Sequence, residues 1–77
     1  MSKQFTLYYR ENCHLCDSMR RALVALQKEL DFDWVELDID KDTDLIWRYD
    51  TVVPVLHYQG EEVCHYFYDD KAIRALF

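Results

Sequence analysis

Phe5-Thr6-Leu7-Tyr8-Tyr9-Arg10-Glu11-Asn12-Cys13-His14-Leu15-Cys16-Asp17 is the stretch that decides the fold. Phe5 to Tyr9 is a short apolar run of β-formers, a strand that can be buried on both faces. Arg10-Glu11-Asn12 is a short polar loop. From Cys13 the pattern turns helical. Leu15, Met19, Leu23, Leu26 and Leu30 recur at helical spacing and make one apolar stripe. Ser18, Arg20, Arg21, Gln27 and Lys28 fall largely off it. Asp17 and Arg21 are placed for an i,i+4 pair, worth about 0.2–0.5 kcal/mol.

Beyond the helix, Trp34 to Asp40 alternates strictly. Val35, Leu37 and Ile39 share one face, expected to be buried, and Glu36, Asp38 and Asp40 share the other. The acidic face suggests an edge strand. Asp42 or Thr43 can cap a short helix through Tyr49, with Leu45, Ile46 and Tyr49 as its apolar residues. Asp50 is expected to end it in a left-handed conformation. Val52 to Tyr58 reads as a third strand, with Pro54 near its start. Gln59-Gly60 makes a hairpin turn. Glu62 to Phe67 reads as the fourth strand. Asp69 or Asp70 then caps a last helix that buries Ala72, Ile73, Leu76 and Phe77. The order is β-α-β-α-β-β-α: a mixed four-stranded α/β sheet flanked by three helices. The first crossover is parallel and right-handed, and the hairpin is antiparallel. Periodicity leaves open which strand is central and which face each helix covers.

Composition narrows the function. The chain has 77 residues, enough for one domain spanning residues 1–77, and 51% are apolar, so a packed core is expected. A net charge of −6 argues against nucleic acid, because phosphate binding needs clustered cations. The N-terminus shows no apolar h-region and no apolar run is long enough to span a bilayer, so a soluble cytoplasmic monomer is expected. Three cysteines fit poorly with a disulfide-stapled secreted fold.

Cys13 and Cys16 instead suggest redox chemistry or half of a metal site. The thiolate is the reactive form, and the unpaired N–H groups and dipole of a helix start favour an anion at Cys13. Arg10 and His14 add to that effect and Asp17 opposes it. Cys16 follows one helical turn on, close enough for a disulfide. Cys13 is therefore the expected attacker and Cys16 the resolving thiol. Zinc is the alternative. Its other ligands would have to come from His57, Cys64 and His65, and the adjacent pair Cys64-His65 would face opposite ways. Cys64 otherwise reads as a small packed residue.

With this dithiol helix and with Val53-Pro54-Val55-Leu56 later in the chain, the sequence resembles the short glutaredoxin-like members of the thioredoxin-fold superfamily, along its whole length. The resemblance implies a thiol–disulfide oxidoreductase acting on a disulfide-containing protein or a small-molecule thiol. It implies a central first strand, a fourth strand at an edge, and first and last helices on one face. It also implies a cis Val53-Pro54 bond beside the dithiol, with the backbone of Val53 offered to an extended substrate. His14 and Leu15, between the cysteines, fall within the implied substrate site. No bound cofactor or metal is implied, and glutathione enters as a possible reductant. Arg10 stands where the family has a Lys that can meet a glutathione carboxylate; a solvated surface role is the alternative. Asp69 stands at an acidic ligand-binding position, with helix capping as the alternative. The sequence departs from the family at Tyr66-Phe67, which replace a Gly-Gly pair that lets backbone approach glutathione closely. A redox-sensing or protein-binding module without turnover is the rival reading.

Overall fold

The computed structural model describes residues 3–77; Met1-Ser2, the start of the segment read for a leader, lies outside the described residues. The elements are β1 (Lys3–Tyr9), α1 (His14–Leu26), β2 (Phe32–Asp38), a 3-10 helix (Ile39–Lys41), α2 (Thr43–Tyr49), β3 (Val55–Tyr58), β4 (Glu61–His65) and α3 (Asp70–Arg74). The expected β-α-β-α-β-β-α order holds. The sheet runs β2-β1-β3-β4. β1 is parallel to β2 and antiparallel to β3, and β3 and β4 form the antiparallel hairpin. The first strand is thus central, as the resemblance implies.

A central strand hydrogen-bonds on both edges, so its side chains can be buried without orphaning backbone groups. Phe5 and Leu7 of β1 are fully buried. They pack with Met19, Leu23 and Leu26 of α1, Phe32 of β2, Leu56 of β3 and Ile73 of α3 in one core cluster. Helices α1 and α3 therefore cover the same face. Fully burying each such large side chain stabilises the fold by about 1.5–3 kcal/mol.

The second strand corrects the sequence reading. Val35 and Leu37 are 42% and 44% exposed. The register sets Phe5 beside Trp34 and Leu7 beside Glu36. Neighbours in register share a face, so Glu36 lies on the α1 side, where Arg20 pairs with it. Val35 and Leu37 lie on the other face. Phe32 is the buried residue of this strand, and Ile39 is buried in the 3-10 helix. Alternation separates two faces of a strand; only helix placement decides which is inside.

Other boundaries shift for local reasons. The helix stripe buries Cys16, Met19, Leu23 and Leu26, whereas Leu15 is half-buried. Leu30 lies beyond the end of α1 but still packs against the core. Asp17 pairs with Arg20, at i+3, rather than with Arg21. Asp42 caps α2, and Asp50 ends it in a right-handed conformation, at φ −47°. β3 starts at Val55, after the proline that lacks an N–H. β4 ends at His65, and Tyr66 leaves the strand at φ +68°. Gln59 and Gly60, at φ 53° and 81°, turn the hairpin with both central residues left-handed. Phe77 is 45% exposed, yet its ring stacks on Phe5 at 6.3 Å.

Candidate active site

The dithiol is built by the junction between β1 and α1. Asn12 takes φ 57°, a left-handed conformation that Asn tolerates well. Cys13 follows in extended backbone as the N-cap of α1. Its Sγ accepts the Cys16 N–H at 3.1 Å, and its carbonyl accepts the Asp17 N–H at 3.0 Å. The sulfur thus occupies the position of a capping oxygen. The Cys13 and Cys16 sulfurs lie near disulfide distance, with the two Cα atoms 5.2 Å apart. Cys16 is fully buried, whereas Cys13 is half-buried. Solvent therefore reaches Cys13 more readily.

A second, smaller core holds this pair. Cys16 clusters with Ile39 and Val53, with Cys13, Tyr8, Tyr9, Leu45 and Tyr49 packed around them. The fold thus brings Val53 to the thiols across the intervening chain. The Val53-Pro54 bond is cis, and Pro54 is buried. The Tyr66 N–H donates to the Pro54 carbonyl at 2.7 Å, tying the end of β4 to this loop.

The remaining residues expected at the site separate. The Arg10 guanidinium is engaged by Asp40, with contacts of 2.9–3.1 Å, and by the Asp50 carboxylate at 2.7 Å. Hydrogen bonds from Asp40 and then Asp50 raise its already high pKa. In this arrangement Arg10 fastens α2 to the loop before the dithiol, and its charge is directed to those two carboxylates. His14 is exposed on the first turn, and Leu15 is half-buried beside the dithiol in sequence. Asp69 caps α3 by accepting the Ala72 N–H at 3.0 Å.

Cys64 belongs to the larger core, not to the dithiol cluster. It is buried, and burial pushes its thiol pKa up, which suits an inert packed cysteine. Neighbouring His65 is exposed and bonds Glu62 at 2.8 Å. Among the described residues, no group of three or more His, Cys, Asp or Glu side chains is placed to hold a metal ion. Nor is any helix among them long and apolar enough to cross a membrane.

Sequence reasoning missed the aromatic layer behind the dithiol. Tyr8 stacks on Tyr49 with ring centroids 4.7 Å apart, and the His57 ring meets Tyr8 edge-on at 5.0 Å. The Tyr49 hydroxyl lies 3.3 Å from His57 Nε2. Burial lowers the His57 pKa, outweighing the opposing pull of Glu62. These residues come from three different elements, so no spacing pattern links them.

Comparison with known proteins agrees with this geometry. The glutaredoxin-like domain family (DUF836) matches residues 4–77. Protein Ne2328 from Nitrosomonas europaea, solved by NMR, is 37% identical, with 99% of this chain and 92% of that one covered and a TM-score of 0.90. The X-ray structure of target protein XcR50 from X. campestris is 36% identical, covering 94% of this chain and 92% of that one with a TM-score of 0.68. No curated protein matches the chain. A thioredoxin-like fold, a helix-opening cysteine pair and a family match across nearly the whole length lead to one conclusion: the chain belongs to the glutaredoxin-like domain family (DUF836).

Proposed function

We propose that this protein is a thiol–disulfide oxidoreductase working through Cys13 and Cys16. The observation that carries this reading is the asymmetry of the pair. One cysteine caps a helix within reach of solvent, and its partner is fully buried behind it. The Cys16 N–H that meets Cys13 Sγ is a ready donor to a Cys13 thiolate.

In the reduced protein the Cys13 thiolate attacks one sulfur of a substrate disulfide. A Cys13–substrate disulfide forms, and the first substrate thiolate leaves. The Cys16 thiolate then attacks Cys13 Sγ and displaces the second. The two electrons of the dithiol pass to the substrate, whose thiolates take up protons from solvent, and the Cys13–Cys16 disulfide remains. The dithiol carries the electrons itself, so no bound cofactor enters the cycle. A thiol reductant, glutathione or a protein dithiol, restores it, which suits a reducing compartment such as the cytoplasm. The buried Val53-Pro54 loop forms a wall beside the sulfurs, and Val53 backbone would meet an extended substrate there. The substrate is a disulfide-bearing protein or small thiol compound, handled by a monomer.

Turnover of a small neutral disulfide with dithiothreitol tests the reading. Cys13→Ser should abolish exchange and leave the fold intact; a Cys13→Ser variant as active as wild type would sink it. Tyr66-Phe67 favour a second reading, a redox-sensing or protein-binding module without turnover. Robust turnover with a glutathione or thioredoxin-reductase system would reject it.

A further inference from the structure

Two large aromatic side chains stand exposed where β4 leaves the sheet. Tyr66 is 44% and Phe67 is 66% exposed, and their rings meet edge-on with centroids 4.8 Å apart. Exposing this much aromatic surface at one spot forgoes hydrophobic stabilisation. Tyr66 also adopts φ +68°, a region that bulky residues rarely occupy, and such outliers gather at binding sites. Its backbone is anchored to Pro54 at 2.7 Å, and the preceding Val53 shares a small core with Cys16 and Ile39. The aromatic pair is therefore one hydrogen bond from the loop that walls the dithiol.

Charge separates the ligands this ledge can take. The chain carries −6. Phe67 and Tyr68 line a shallow groove whose charged residues are Glu62, Asp69, Asp70 and Lys71. Asp70 is paired with Arg74 and Glu62 bonds His65, so the attraction for cations comes from the groove's excess of carboxylates and the net charge of the whole molecule. Arg10, the cation just before the dithiol in sequence, is already engaged by two carboxylates. A small dianionic disulfide such as oxidised glutathione meets repulsion from the whole molecule and bulk at Tyr66-Phe67. A cationic segment meets attraction, and an apolar or aromatic side chain on it can pack on the exposed rings.

Resting on the oxidoreductase reading, we propose that Tyr66 and Phe67 form a specificity ledge. It selects disulfides held in cationic polypeptide segments with an apolar residue beside the cysteine, in preference to glutathione disulfide.

The test compares three substrates, with dithiothreitol as reductant. One is a synthetic Lys-Phe-Cys-Lys peptide in mixed disulfide with 2-mercaptoethanol. The second is the same peptide with Glu for Lys and Ser for Phe. The third is oxidised glutathione; 2-hydroxyethyl disulfide serves as a neutral small probe. Wild type should favour the cationic peptide over either anionic substrate by roughly tenfold or more in kcat/KM, with the gap shrinking as salt rises. Phe67→Ala and Tyr66→Gly should each lower kcat/KM on the cationic peptide by roughly three- to tenfold and leave the neutral probe unchanged. Equal use of glutathione and the cationic peptide would overturn the ledge, as would equal losses on the peptide and the neutral probe. Binding of the reduced peptides to a Cys13→Ser, Cys16→Ser variant keeps the two readings apart. Turnover of the neutral probe without peptide preference leaves the oxidoreductase standing and rejects the ledge. Phe67-dependent binding of the cationic peptide without turnover by wild type supports the docking surface and rejects the oxidoreductase.

Discussion

Arg10 and Asp40, 30 residues apart, are joined through two guanidinium nitrogens and both carboxylate oxygens at 2.9–3.1 Å. The same guanidinium reaches the Asp50 carboxylate at 2.7 Å and its carbonyl at 3.3 Å. One side chain thus fastens the loop before the dithiol to both ends of the α2 region. The planar fork of Arg makes several aligned bonds that the point charge of Lys cannot reproduce.

Replacing Arg10 by Met should lower the melting temperature by a few degrees, with Arg10→Lys recovering only part of the loss. Because Arg10 is half-buried and its carboxylate partners are exposed, the wild-type advantage should shrink in high salt. Turnover of a neutral small disulfide should stay close to wild type, since Arg10 serves the scaffold. A collapse of that turnover in a folded Arg10→Met protein would instead place Arg10 in the exchange step.

Cys16→Ser keeps the attacking thiol and removes the resolving one. Incubated with a disulfide substrate, this variant should accumulate a Cys13–substrate mixed disulfide, visible as an added mass that dithiothreitol removes. Cys64→Ala should leave turnover near wild type, because the raised thiol pKa and burial of Cys64 keep it out of exchange. Adduct formation at Cys64 in the folded protein would reverse that assignment.

The faces of β2 can be read by denaturant unfolding. Phe32 is 3% exposed, and truncation to Ala should cost about 3–5 kcal/mol, enough to unfold much of a domain this size. Val35 is 42% exposed, and Val35→Thr should change stability by no more than about 0.5 kcal/mol. Comparable losses at both positions would contradict the register of β2 against β1.

His57 links stability to pH. Its folded-state pKa lies below the ordinary 6.5, chiefly through burial. The unfolded chain therefore binds the proton more readily than the folded one. This contribution is fully present above about pH 6.5 and is lost as pH falls through the lowered value. His57→Gln should flatten that part of the stability curve, measured as the difference between wild-type and variant unfolding from pH 7.5 to about 5. A wild-type curve that rises as pH falls through this window, relative to the variant, would reverse the sign.

Local patterns were legible wherever neighbours in sequence set the outcome. The apolar run of β1, the stripe Met19-Leu23-Leu26, the Gln59-Gly60 turn and the caps, narrowed to Asp42 or Thr43 and to Asp69 or Asp70, could all be read that way. Each depends on dihedral preference or on spacing within one element. So did the cysteine pair, since one helical turn brings its two members together.

Tertiary structure decided the rest. Val35 and Glu36 alternate the same way whichever side α1 covers, and docking of α1 put Glu36 beside Arg20. Arg10 became a scaffold tie because the 3-10 helix and the end of α2 bring Asp40 and Asp50 to it. Val53 and Ile39 joined Cys16 in one small core, with Tyr49 packed against it, only because the chain returns through the sheet. Period and propensity describe how a segment presents its own faces; what each face meets depends on elements distant in sequence. The sequence alone determined a strand-to-helix dithiol in a β-α-β-α-β-β-α chain. Folding determined that Ile39 and Val53 share a small core with Cys16, that Arg10 is engaged by Asp40 and Asp50, and that two exposed aromatics stand one hydrogen bond from the Val53-Pro54 loop.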